Sequence, residues 1–131
     1  MSECLCIALR RAAQRATAVY DAALAPAGIN VAQFSLLRGV QRRSPVSLTD
    51  LAAAMALDRS TVGRNARVLE RLRFLAIVPG EDGRESALVV TKRGAAALAK
   101  AEPFWKDAQA RIQAALGADG DRAIRNLLAD L

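Results

Sequence analysis

The stretch Asp58 to Leu72, Asp-Arg-Ser-Thr-Val-Gly-Arg-Asn-Ala-Arg-Val-Leu-Glu-Arg-Leu, constrains this chain more than any other. At about 100° per residue its side chains sort into two opposite helical faces. Ser60, Arg64, Arg67 and Arg71 follow the 4-3-4 spacing that stacks residues on one stripe. Val62, Ala66 and Leu69 lie opposite. A helix divided in this way buries the second face and offers the first. Three guanidinium groups and a hydroxyl on one stripe suit a polyanion with groove-shaped geometry, of which B-DNA is the commonest. The solvated basic face of an ordinary amphipathic helix has the same pattern, so the neighbouring segments decide between the two.

The charge balance favours the first reading. The chain has a formal net charge of +6. Between Arg38 and Lys100 lie twelve basic and six acidic residues, and the seven of each sign outside that span cancel. The whole excess therefore sits in the middle segment, the footprint of a nucleic-acid module between neutral flanks. Five aromatic residues are too few for the stacking platforms that hold single strands. There is no His, which removes the commonest general base and metal ligand. With no Gly-rich phosphate loop and no nucleophile elbow either, an enzyme is not expected. No cofactor is expected, and no metal site can be named. The 131 residues fit a single domain, 53% of them apolar. No apolar run is long enough for a membrane span and no secretory leader is recognisable, so a cytoplasmic protein is expected.

Helical periodicity covers Leu5 to Leu24, stopped by Pro26 and Gly28, and Val31 to Val40, broken by Ser44-Pro45. Ser47-Leu48-Thr49-Asp50 has the form of a capping box for a short helix, Thr49 to Met55. A turn at Ala56-Leu57 follows, and Asp58 is a suitable N-cap for the basic helix. Two helices joined by a tight turn, the second basic on its outer face, form a helix-turn-helix. The period then changes. Leu75 to Val78 and Ala87 to Val90 are short apolar runs, and Asp82-Gly83 between them is a two-residue hairpin signal. A hairpin beside a helix-turn-helix is a wing. Thr91 can cap a long helical region to Leu116, which Pro103 is expected to kink or divide. Gly117 closes it before a last helix capped by Asp119 or Asp121 and running to Leu131. The flanking helices carry more apolar surface than a small domain can cover, and a homodimer buries it most simply.

The order helix, helix, short strand, helix-turn-helix, hairpin and two further helices resembles the multiple-antibiotic-resistance regulator (MarR) family of winged-helix transcription factors. The residues carrying the resemblance are Leu48-Thr49-Asp50-Leu51-Ala52, Ser60-Thr61-Val62, Leu69-Glu70 and Asp82-Gly83-Arg84, then Leu88-Val89-Val90-Thr91 and Gly94. The resemblance spans nearly the whole chain. It implies a mainly α fold with a small β-hairpin wing. Residues 31–99 would form the winged helix-turn-helix lobe, flanked by dimerisation helices in 1–30 and 100–131. It implies a dimeric bacterial regulator, a repressor in particular, whose two recognition helices enter successive major grooves of a pseudo-palindromic DNA operator. Ser60, Thr61, Arg64 and Arg67 would then face the major groove or its phosphates, with Arg59 and Arg71 on the same surface. Ser47 and Thr49 would contact phosphate. Arg84 would enter the minor groove, and Asp82 would orient the wing through an arginine pair or serve only as a turn residue. Gly63 allows close approach to DNA or has no such role. The alternative is a basic winged module that binds RNA or a protein without reading duplex sequence.

Two features bear on regulation. Cys4 and Cys6 form a C-x-C unit that can be oxidised, can hold a soft metal ion, or can simply pack in an interface. If the first helix begins at Ser2, the two sulfurs lie about 200° apart and cannot share an ion. If the segment is extended, both point the same way. The family also implies a small anionic aromatic effector between the dimerisation helices and the DNA-binding lobe. Arg10, Arg11, Tyr20, Gln33 and Phe34 lie on the helices that would line that cleft, and Phe34 equally fits the core.

Overall fold

In a computed structural model the described residues are 3–131, so the question of a helix start at Ser2 lies outside them. Helix α1, Leu5–Leu24, starts after Cys4 at the N-cap. Its Ala, Leu and Arg content favours helix and it contains no Gly or Pro. A 3-10 turn at Ala25–Ala27 carries Pro26, and Gly28 at φ 78° ends it. Helix α2, Val31–Arg43, begins with a complete capping box between Asn30 and Gln33. The Asp21 carboxylate of α1 accepts the Val31 N–H at 2.8 Å and fixes the angle between the two helices.

Strand β1, Val46–Ser47, leads directly into α3, Leu48–Met55. The Ser47 hydroxyl accepts the Asp50 N–H at 3.0 Å, so the expected N-cap forms, but the Asp50 side chain does not complete a capping box, and the helix starts at Leu48, one residue earlier than expected. The turn after α3 places Ala56 in the left-handed region at φ 53°. Leu57 N–H donates to Ala52 O and Ala56 N–H to Ala53 O, the paired bonds that close a helix end. Helix α4, Arg59–Arg71, follows after Asp58. It ends in the same way, with Arg73 at φ 66°, Phe74 N–H on Leu69 O and Arg73 N–H on Glu70 O.

Strands β2, Leu75–Val78, and β3, Ala87–Val90, pair antiparallel with Val78 opposite Ala87. Strand β1 pairs with the other edge of β3, giving the order β1-β3-β2. The Asp82-Gly83 pair does adopt positive φ, at 51° and 75°. It does not join the strands directly, however. It sits in a short 3-10 turn inside the wider loop 79–86. Thr91 then does two jobs. Its hydroxyl donates to Arg73 O at 2.6 Å and accepts Gly94 N–H at 3.0 Å, tying the end of α4 to the start of α5. Gly94 is sterically required, because a Cβ there would lie 2.1 Å from Phe74 O.

Helix α5, Lys92–Asp130, runs through Pro103 without interruption and is broken at Gly117, as expected, with φ 69° and ψ 172°. Pro103 is exposed, so water can satisfy the carbonyl that its missing N–H leaves free. The core sits in the middle of the chain: Phe34, Leu37 and Val40 of α2, Leu51 of α3, Val62 and Leu69 of α4, Leu75 of β2 and Leu88 of β3. Full burial of each large side chain contributes about 1.5–3 kcal/mol. The flanks differ. In α1 only Leu24 is buried, while Leu5 is 79% and Leu9 49% exposed, as is Leu128 of α5 at 78%. Among the described residues no helix is long and apolar enough to cross a membrane.

Candidate nucleic-acid interface

Helix α4 divides as its sequence requires. Val62, Ala66 and Leu69 are buried against α2, α3 and β2, and Ser60, Arg64, Arg67 and Arg71 are exposed. Thr61 is half-buried at the edge of that stripe, with Arg64 Nη2 3.4 Å from its hydroxyl. Asp58 has the extended backbone of an N-cap, yet its carboxylate makes no cap bond and accepts the Ser60 hydroxyl at 2.5 Å instead. Gly63 lies in the i, i+4 row of Arg59 and Arg67, and a Cβ there would meet nothing within 4 Å. Among the described residues no packing constraint calls for glycine at this position.

Among the described residues, Arg64, Arg67, Arg71 and Arg84 form no ion pair. Four guanidinium groups on α4 and the wing are thus without an acidic partner among the described residues, and only Arg64 makes a side-chain contact, the long one to Thr61. Arg59 differs. Its Nη2 donates to Glu85 Oε1 at 2.7 Å and its Nε to Thr49 Oγ1 at 3.2 Å, while Thr49 donates to Glu85 Oε2 at 2.9 Å. These bonds hold the Glu85 carboxyl below its ordinary pKa, the Arg59 bond contributing most and the Thr49 bond next. Asp82 makes no ion pair among the described residues, because its left-handed turn holds it at the exposed loop tip. The carboxylate that ties the wing to the helices is Glu85, a residue that sequence reasoning passed over. Its proximity to Arg59 depends on tertiary folding across 26 positions, and no local spacing signals it.

The five effector candidates have different surroundings among the described residues. Gln33 is occupied in the α2 capping box, Phe34 is 2% exposed in the core, and Arg10 is exposed on α1. Tyr20 of α1 donates to Gln109 Oε1 of α5. Arg11 pairs with Glu3 at 2.7 Å. A different group stands between α2 and α5. The Arg38 guanidinium lies 4.3 Å from the Trp105 ring centroid and 5.3 Å from that of Phe34, and the two rings stack at 5.5 Å. Burial, followed by the charge of Arg42, lowers the Arg38 pKa, and burial raises that of Tyr20. The i, i+4 spacing of Phe34 and Arg38 was a usable signal, whereas Trp105 reaches them only through the fold. Cys4 and Cys6 are both free and exposed. The backbone N–H groups of Ile7 and Cys6 at the start of α1 hold the Cys4 thiol below its ordinary pKa.

A short helix, a tight turn and a basic helix, followed by a hairpin on a three-stranded sheet, define a winged helix-turn-helix protein. The model of the MarR family matches residues 27–85. The transcriptional regulator MosR of M. tuberculosis is 33% identical, with 98% of this chain and 93% of that one covered at a TM-score of 0.81. The same regulator in complex with DNA is 37% identical over 95% of this chain and 93% of that one, with a TM-score of 0.85. BpsR of Bordetella bronchiseptica, described through the regulation of its DNA binding by 6-hydroxynicotinic acid, is 27% identical. There 99% of this chain and 94% of that one are covered, and the TM-score is 0.86. No curated protein sequence matches the chain significantly. The chain belongs to the MarR family of winged-helix transcriptional regulators.

Proposed function

We propose that this chain is a homodimeric, sequence-specific repressor that binds double-stranded DNA. The observation carrying this reading is the exposed row of α4, where, among the described residues, Arg64, Arg67 and Arg71 have no ion-pair partner, and neither does Arg84 on the wing. A rigid helix with free guanidinium groups fits the major groove, and an arginine on an adjacent wing fits a narrow minor groove. Ser60 and Thr61 supply hydroxyls at the start of the same helix, and Ser47, Thr49 and Arg59 lie where the flanking phosphates pass. The DNA complex of MosR supports the same use of this fold.

A second copy is the natural cover for α1 and the end of α5. A cleft of about 570 Å³ between them is lined by Leu9, Val19, Ile112, Leu116, Ile124 and Leu128, among others. Burying that face in a dimer would set two α4 helices for successive major grooves of a pseudo-palindrome. Residues 1–30 and 100–131 are then the dimerisation helices, and 31–99 the DNA-binding lobe.

Release has two supported routes. The backbone N–H groups of Ile7 and Cys6 at the α1 N-terminus lower the Cys4 pKa, which raises its share of thiolate, the nucleophilic form. Its attack on a peroxide oxygen gives a sulfenic acid and expels water or hydroxide. Condensation with a second thiol then forms a disulfide and releases water. The other route is a small aromatic acid at the Arg38–Trp105 group near Tyr20, supported by the effector of BpsR. Either acts only through a difference in affinity between two separations of the α4 helices.

The test is enrichment of a random duplex library on the reduced protein. The expected result is a sequence with two inverted half-sites about one helical turn apart. Failure to enrich any sequence would overturn the reading, and binding of RNA or protein without duplex preference would replace it.

A further inference from the structure

We propose that Glu85 is a positioning residue for DNA recognition. It holds the wing and α4 at one separation, so that Arg84 and the α4 guanidiniums engage a duplex together. The inference rests on the DNA-binding reading above.

Both oxygens of the Glu85 carboxylate are bound from different helices. Arg59, the first residue of α4, takes Oε1, and Thr49, in the first turn of α3, takes Oε2. The Arg59 Nε bond to Thr49 closes the ring, so neither partner can swing away without breaking a second bond. The starts of both helices of the helix-turn-helix are therefore linked to the base of the wing.

The position of Glu85 also decides where Arg84 points. Arg84 has extended backbone, φ −71° and ψ 165°, in which successive side chains diverge. With Glu85 turned toward the helices, Arg84 is directed outward, exposed and without an ion pair among the described residues. The loop above is closed on itself. Arg84 N–H donates to Glu81 O at 3.0 Å, and a Cβ on Gly80 would lie 2.5 Å from Arg84 O and 2.3 Å from Glu85 O. The wing tip is thus a preformed unit aimed through one carboxylate.

A carboxylate on a basic face repels phosphate. Electrostatics alone predicts that removing it tightens binding to every duplex. Positioning predicts the opposite for a specific sequence, which makes the two accounts separable. The pair is exposed and adds little to stability, so its variants are expected to fold.

The experiment uses the full chain and two probes: the duplex that the wild-type protein enriches from a random library, and a scrambled duplex of the same composition. Fluorescence anisotropy at fixed salt gives the affinity ratio between them. Glu85→Gln is expected to lower that ratio about tenfold, the order of one well-placed groove contact. In an Arg84→Ala background the same change is expected to lower it less than about twofold, because the residue being aimed is gone. Glu85→Asp keeps the charge but is one methylene too short to reach both partners. It is expected to lower the ratio as well, and it serves if Glu85→Gln misfolds. An unchanged ratio, tighter binding to both duplexes, or an equal drop with and without Arg84 would overturn the proposal. If the wild-type protein enriches no duplex, the DNA-binding reading itself fails and this inference goes with it.

Discussion

Gly63 costs the most important helix of this protein stability that packing does not require. Glycine in a helix interior is about 0.8–1.0 kcal/mol less favourable than alanine. A Cβ at this position meets nothing within 4 Å, so no clash subtracts from the gain on substitution. Gly63→Ala is therefore expected to stabilise the fold by about 0.9 kcal/mol. For 131 residues the unfolding entropy is about 0.3 kcal/mol per kelvin, which makes the shift in Tm about 3 °C upward. Leucine has nearly the helix propensity of alanine, so Gly63→Leu should retain most of that gain. The two differ on DNA. Position 63 shares its row with Arg59 and Arg67, so a leucine would project where the groove must approach. Its affinity for the selected duplex is expected to fall at least about tenfold, the scale of an overpacked contact. Calorimetry at one protein concentration and anisotropy at one salt concentration read the two effects. A lowered Tm for Gly63→Ala would refute the packing argument. Wild-type affinity for Gly63→Leu would show that this face does not meet DNA.

Two further outcomes follow from the geometry. Ala56 closes α3 at φ 53°, a region costing a residue with a Cβ about 1 kcal/mol or more, so Ala56→Gly is expected to raise stability by up to about 1 kcal/mol in denaturant unfolding; a loss of stability would contradict it. Leu9→Glu places a charge in the apolar cleft between α1 and α5, and is expected to give a monomer by light scattering with DNA affinity at least about tenfold weaker. A variant that stays dimeric would remove that face as the interface.

What could be read from the sequence was local. The faces of α4, the Thr91 cap, and the breaks at Gly28 and Gly117 depend on nearby residues and form as read, while at Ser47 the hydroxyl caps α3 without the reciprocal Asp50 bond of a full capping box. Long-range geometry was not legible. The Asp82-Gly83 pair signalled a two-residue hairpin turn, but the loop is wider, with Gly80 against the Arg84 and Glu85 carbonyls. Asp58 occupies the expected cap position, yet Ser60 two residues later competes successfully for its carboxylate. Pro103 reads as a kink or junction because its missing donor is visible in sequence and the solvation of its turn is not. The Arg59–Thr49–Glu85 ring joins three segments separated by 10, 26 and 36 positions, and Arg38 meets Trp105 only because α2 packs on α5. Charge counting found the basic face, but it could not tell which arginines the fold had already engaged.

The salt dependence of binding to the selected duplex tests the central claim most directly. Arg64, Arg67, Arg71 and Arg84 form no ion pairs among the described residues, so a dimer presents eight guanidinium groups free for phosphate or base edges. Each phosphate neutralised contributes about −0.9 to the slope of log Kobs against log salt, which sets a limit near −7 if all eight act on phosphates. With some of them reading bases, the slope is expected between about −4 and −7. A slope shallower than about −2, or one identical for selected and scrambled duplexes at equal affinity, would contradict a dimeric repressor that reads DNA through α4 and the wing.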